Sequence, residues 1–212
     1  MLRKSFKDIK EEFVSGARVT GVKTANPVIV AIVGAIGSGK STIARELKKR
    51  LGWAVISRDK IRVMLREKGR GFTQQKVDEI NFAMLAKILK NGGNAILDAD
   101  AVIRVKRKKF EKFAGKFRVK VVYVRLTCDT DIMLGRILHS RYNPQTDLFK
   151  NAVIALREHT RRLPWHYRWS EANGGQWVLR ALPIKFLAEI DTAEPRKWKK
   201  AVRNVIKKLR RF

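Results

Sequence analysis

The sequence predicts an α/β fold: a parallel five-stranded sheet flanked by helices, with a helical lid. Three observations carry this reading. Short, unbroken apolar runs rich in Val and Ile recur along the chain, stretches of helical periodicity separate them, and the first run leads straight into a glycine-rich turn. Unbroken apolar runs mark strands buried on both faces. Strand alternating with helix is the pattern of βαβ crossovers, which make the strands parallel.

Taken in order, Leu2, Phe6, Ile9 and Phe13 form an apolar stripe, so residues 1–20 should hold an amphipathic helix docked on the domain. "PVIVAIVG" (27–34) is the first strand, followed by a helix with the stripe Ile43, Leu47 and Leu51. "WAVIS" (53–57), "NAILD" (94–98), "FRVKVVYVRL" (117–126) and "IKFLAEID" (184–191) supply four more strands. Val77, Ile80, Met84, Leu85 and Ile88 mark a helix between the second and third. Residues 136–175 read as a lid and insertion. In 194–212, a last helix carries Trp198, Val202, Val205, Ile206 and Leu209, with nine Lys or Arg between 196 and 211. No repeat or low-complexity linker interrupts the 212 residues, which suit one domain.

Composition excludes several classes. No run approaches the roughly 20 apolar residues of a membrane span, and "MLRKSFKDIKEEF" has no apolar core of a signal peptide. The single cysteine, Cys128, excludes an internal disulfide and fits a reducing cytoplasm. The expectation is a cytoplasmic monomer that does not engage membranes. The charge stands out: 48 Lys and Arg against 19 Asp and Glu leave a formal +29. Such a field attracts polyanions, so nucleic acid is an expected partner, although lysines on solvated faces would give the same count.

"GAIGSGKST" matches G-x-x-x-x-G-K-[ST], with a buried strand before it and an amphipathic helix after. Its residues Gly34, Ala35, Ile36, Gly37, Ser38, Gly39, Lys40, Ser41 and Thr42 are the expected cradle for the phosphates of ATP. Glycines let the backbone approach phosphate, and the helix N-terminus points N–H groups at it. Lys40 should reach the β- and γ-phosphates, and the Ser41 hydroxyl should take Mg²⁺. The fold expected is therefore that of a P-loop NTPase of the nucleoside- or nucleotide-kinase type. Asp98, at the C-terminal end of "NAILD", is the second candidate metal ligand. Asp100 would contact metal or acceptor, or else cap the next helix.

The strand "WAVIS" should end at the same edge, with Asp59 just beyond it. A hydroxyl acceptor needs a base during phosphoryl transfer, and Asp59 is the candidate. Arg62, three residues on, would share its helix face and grip the acceptor's phosphate or the transferring group. The alternative is a surface salt bridge with Asp59 as a helix cap.

"GAIGSGKSTIARELKKRLGWAVISRDKIRVML" followed by "AILDAD" resembles the phage-type polynucleotide kinase-like P-loop kinases, a group that also includes zeta toxins and small-molecule phosphotransferases. The resemblance spans roughly residues 28–141. It implies a general base at Asp59 and a phosphate-binding arginine at Arg62, within Ser57-Arg58-Asp59 and Arg62. The family's D-T-N element stands here as Asp98, Ala99 and Asp100, without its asparagine.

After "VYVRL", "TCDTDIMLGRILHSRYNPQTD" reads as a helix with Arg136 and Arg141. Both are candidates for lid arginines that close on the ATP phosphates, Arg141 the better placed because it begins a proline-bearing break. "DLFKNAVIALREHTRR" should complete the lid. The basic stretch 104–120 starts near the catalytic edge, making Arg104 a candidate for acceptor contact; its Phe110, Phe113 and Phe117 read as core. "LPWHYRWSEANGGQWVLR" (163–180) is either a packed insertion or an aromatic surface for single-stranded bases. The function expected is transfer of the ATP γ-phosphate to a hydroxyl, first the 5′-OH of RNA or DNA. The alternatives are a small molecule (nucleoside, nucleotide sugar or antibiotic), or an ATP-responsive nucleic-acid-binding protein with little transfer activity.

Overall fold

The computed structural model describes residues 5–16, 23–69, 71–98 and 101–212. Along the chain run α1 (Phe6–Gly16), β1 (Val28–Val33), α2 (Lys40–Leu51), β2 (Ala54–Ser57), α3 (Arg58–Glu67), α4 (Gln74–Lys90), β3 (Ala95–Asp98) and α5 (Arg104–Lys116). Then follow β4 (Lys120–Thr127), α6 (Thr130–Leu138), α7 (Ala152–Arg162), β5 (Tyr167–Ser170), β6 (Gln176–Leu179), β7 (Phe186–Asp191) and α8 (Pro195–Leu209). Each of the five expected apolar runs forms a strand of one parallel sheet, in the order β2-β3-β1-β4-β7.

All six residues of β1 are buried because the two faces of this central strand feed two cores. Ile29, Ala31 and Val33 pack with Ile9 of α1, Ile80 and Leu85 of α4 and Phe110 of α5. Val28, Val30 and Ile32 pack with Ile43 and Leu47 of α2 and Val202 and Val205 of α8. Successive strand residues point to opposite faces, so one apolar run serves both layers. α1 begins at a capping box: the Ser5 N–H donates to Asp8 Oδ2 at 2.9 Å and the Asp8 N–H to Ser5 Oγ at 3.2 Å. Leu2, at the start of the expected helix, lies outside the described residues. Among the described residues no helix is long and apolar enough to cross a membrane.

The lid departs from expectation in two places. α6, capped by the Asp129 carboxylate on the Asp131 and Ile132 N–H groups, ends at Leu138, so Arg141 lies in the following loop rather than on the helix. α7 starts at Ala152, not Asp147, because Asn151 caps it and Asp147 accepts the Asn143 N–H at 2.7 Å in a local turn.

The 163–180 insertion forms an unexpected antiparallel hairpin, β5–β6. Its base is docked: the Tyr167 hydroxyl bonds both Cys128 O (2.9 Å) and Cys128 N (3.1 Å), and Arg125 Nη2 donates to Arg180 O at 2.6 Å. Trp169 and Trp177 meet edge-on at 5.6 Å, with Trp169 turned outward. Gly174 and Gly175 take φ 82° and 90° in the turn, and a Cβ on Gly175 would strike the Trp169 ring. Phe110, Phe113 and Phe117 do belong to the core, chained to Phe82 and to one another.

Candidate active site

The parallel register brings the chemistry to one edge. Asp98 is level with Ile32 on β1 and with Ser57 on β2, so the P-loop, Asp98 and the start of α3 all emerge together. The loop from β1 to α2 turns through Gly37 and Gly39 at φ 84° and 82°. A Cβ on Gly37 would lie 2.9 Å from Met133 O on α6, so the residue answers both to backbone conformation and to the close-packed lid helix. Gly39 caps α2 with no side-chain acceptor, leaving the first N–H groups of the helix for an anion. Lys40 Nζ donates to Gly34 O at 2.8 Å and Ala35 O at 2.9 Å, which holds its ammonium over the loop. The Ser38 hydroxyl is fully buried in the loop and has no hydrogen-bond partner among the described residues.

Ser41 Oγ donates to Asp98 Oδ2 at 2.8 Å. Burial raises the Asp98 pKa, opposed by the Lys40 charge and the Ser41 hydrogen bond. A hydroxyl and a carboxylate are the oxygen donors Mg²⁺ takes when phosphates and water complete its shell. Among the described residues there is no group of three or more His, Cys, Asp or Glu that could hold a metal. Asp100 lies outside the described residues.

At the start of α3, Asp59 Oδ1 accepts from Arg62 Nη1 at 2.6 Å, with the Asp59 side chain 57% exposed. Arg58 borders the same cleft, but its guanidinium is buried and pairs with Asp78 of α4 at 2.6 Å. Burial lowers the Arg58 pKa, partly offset by Asp78. A cleft of about 60 Å³ joins Lys40, Asp59, Arg62 and Asp98 to Lys106, Arg162 and Trp165. Arg104, the expected acceptor contact, opens α5 facing solvent; Lys106, two residues on, lines the cleft instead. Arg162 was not singled out from the sequence. Its Nη2 donates to Glu158 at 2.6 Å, while its buried Nε has no partner among the described residues.

Of the two lid arginines, Arg136 reaches the P-loop. It donates to Gly37 O at 3.3 Å, and to Thr192 O at 2.6 Å beyond β7. The Thr192 hydroxyl in turn contacts Ser38 O at 3.0 Å, so Arg136 fastens lid, loop and β7 together. Arg141 lies across a second, wider groove of about 690 Å³ that also borders Ser41, Asp98 and Asp59. His159 on α7 was invisible to motif reasoning, because nothing near it in sequence marks it. Its Nδ1 sits 2.9 Å from Ile36 O, which makes Nδ1 the protonated nitrogen and ties the lid to the P-loop.

A central-strand phosphate cradle, a hydroxyl at the start of α2 bonded to a carboxylate that ends the neighbouring strand, and a helical lid define a P-loop protein with the kinase-like α/β fold. More particularly, the chain belongs to the AAA domain family, which it matches over residues 29–163. Solved structures share this fold at low identity. A candidate kinase from Chloroflexus aurantiacus superposes with TM-score 0.60 at 15% identity, covering 88% of this chain and 98% of that one. The APS kinase CysC of Mycobacterium tuberculosis, in complex with AMPPNP and APS, gives 0.56 at 17%, covering 88% and 99%. A sugar kinase from Janibacter sp. HTCC2649 gives 0.51 at 14%, covering 86% and 93%. No curated protein sequence matches the chain.

Proposed function

We propose that this protein is an ATP-dependent kinase that transfers the γ-phosphate to a hydroxyl of an acceptor bearing its own anionic group, with a polynucleotide 5′-OH end as the first reading. The observation that carries it is the Asp59–Arg62 pair, held at the same edge as Lys40, Ser41 and Asp98. Lys40 and the α2 N-terminus would hold the triphosphate; Ser41 and Asp98 would hold Mg²⁺, which would supply neutralising charge to the phosphates. Arg62 now occupies Asp59. When an acceptor phosphate engages Arg62, the Asp59 carboxylate is released to meet the hydroxyl. As the acceptor oxygen bonds Pγ, the bond from Pγ to the bridging oxygen breaks, ADP leaves with the electron pair, and Asp59 takes the hydroxyl proton. Arg162 and Lys106 face the same cleft and balance the charge that develops there.

The test is γ-labelled ATP with 5′-hydroxyl DNA and RNA oligonucleotides, using Asp59→Ala as control. Label on the 5′ end that vanishes in the variant, while ATP binding is retained, supports the reading. A small acceptor is the second reading, favoured by the small volume of the cleft around Asp59. It is supported if label appears on small hydroxyl compounds carrying phosphate or sulfate and on no oligonucleotide.

A further inference from the structure

We propose that the second groove, between α2 and the 140–149 loop, is the track for the phosphate backbone of a single-stranded nucleic acid whose 5′ end reaches Asp59. This rests on the polynucleotide reading of the acceptor and adds to it a binding surface several nucleotides long.

The groove's floor is one face of α2. Ser41, Arg45 and Lys48 stand at i, i+4 and i+7, a line about 10 Å long. Lys60 of α3 forms a wall, and Arg141 comes from the roof. None of these four cations makes an ion pair among the described residues, whereas the acids beside them are occupied: Asp59 by Arg62, Asp98 by Ser41 and Asp147 by the Asn143 N–H. Unpaired cations converging on a concave surface focus a positive field there. At about 690 Å³ the groove falls in the range of ligand sites, and it is far larger than the cleft around Asp59.

The roof is built rather than loose. Arg66 reaches from α3 to four carbonyls of the loop, those of Pro144 (2.8 Å), Asp147 (2.9 Å), Leu148 (3.3 Å) and Gln145 (3.4 Å). Tyr142 is fixed by its hydroxyl bond to Ile137 O at 2.7 Å, and with Phe149 it lines the groove beside the cations. Aromatic rings in the same groove as arginine and lysine suit stacked bases, and they favour nucleic acid over an acidic peptide. Groove and cleft share Asp59, Asp98 and Phe149, so a strand lying in one ends at the base of the other.

The experiment is fluorescence anisotropy with 3′-labelled 5′-hydroxyl oligonucleotides of graded length, on wild type, Arg45→Ala/Lys48→Ala and a control, Lys108→Ala/Lys112→Ala. The control removes two exposed cations at i and i+4 on α5, in the opposite layer. Circular dichroism and the melting midpoint verify folding of both variants. The groove variant should bind about 10-fold more weakly, and its salt slope should fall by about 1.4, or 0.7 for each of two phosphates lost. The control should change less than about 2-fold. Equal losses in both variants, or equally tight binding of poly-glutamate, would overturn the track. A separate transfer assay decides the reading beneath it. Arg45- and Lys48-dependent binding with no label on any 5′ end would remove the polynucleotide acceptor and leave the groove standing.

Discussion

Ser41 and Asp98, 57 residues apart in the chain, are joined by a 2.8 Å hydrogen bond at the point where α2 begins and β3 ends. The bond exists because β1 and β3 are adjacent in register, with Ile32 level with Asp98. It sets a hydroxyl and a carboxylate side by side within reach of the Lys40 charge.

Asp98 should therefore trade stability for metal binding. Its pKa is raised, chiefly by burial, so the folded state holds this proton more tightly than the unfolded chain does. Asp98 then stabilises the fold only at low pH, and the ionised carboxylate costs stability as pH rises above the ordinary value near 4. Asp98→Asn should raise the ligand-free melting midpoint at pH 7.5, while Mg²⁺-dependent binding of a fluorescent ATP analogue falls about 10-fold or more. A lower midpoint would contradict this account.

The ion pairs of the two arginines beside Asp59 should respond differently when broken. Arg58 is buried against Asp78, and removing one partner of a buried pair costs about 3–5 kcal/mol. Urea unfolding of Asp78→Ala should show a loss of that order. Arg62 pairs with a mostly exposed Asp59, so Arg62→Gln should cost at most about 1 kcal/mol while sharply lowering phosphoryl transfer. Similar unfolding midpoints for the two variants would show that the pairs are not distinct.

His159 should give the lid a pH dependence. Burial lowers its pKa below the ordinary 6.5, opposed by the Ile36 hydrogen bond and reinforced by Lys40 and His166. The unfolded chain thus binds the proton more readily, so His159 leaves stability intact above about pH 6.5 and erodes it as pH falls below that. Denaturant midpoints at pH 7.5 and 5.5 should differ, and His159→Gln should narrow the gap. An unchanged gap would assign the dependence to other groups.

Arg66 should control the lid loop. Its guanidinium bonds four loop carbonyls, and charge-assisted bonds are individually stronger than neutral ones. Arg66→Ala should speed limited proteolysis within residues 143–149 by about 10-fold, with the far-UV spectrum unchanged. Cleavage at the wild-type rate would mean that the loop is held from elsewhere.

The sheet and the P-loop were legible because their signals are local. "PVIVAIVG" carries its own strand signature, and Gly37, Gly39, Lys40 and Ser41 lie within five residues of one another. Asp98 and Asp59 could be placed because each sits at the end of an apolar run. The lid was not legible in the same way. Arg136 and Arg141 look alike in sequence, yet the end of α6 at Leu138 sets one against Gly37 and the other across the outer groove. The hairpin at 167–179 was hidden by short strands and an aromatic-rich composition that fits a loop equally well.

By itself, the sequence determined the parallel sheet, the phosphate cradle and the acids at its edge, since each follows from periodicity or from contiguous residues. Only the tertiary structure decided which cations line the cleft and which the groove beside it. It turned Arg58 inward to Asp78, brought Lys106 and Arg162 to the cleft, and left Arg45, Lys48, Lys60 and Arg141 around an open groove. In a chain of 48 basic residues every cation looks the same to composition. What separates them is the partner each meets, and those partners are set by crossovers that join distant segments.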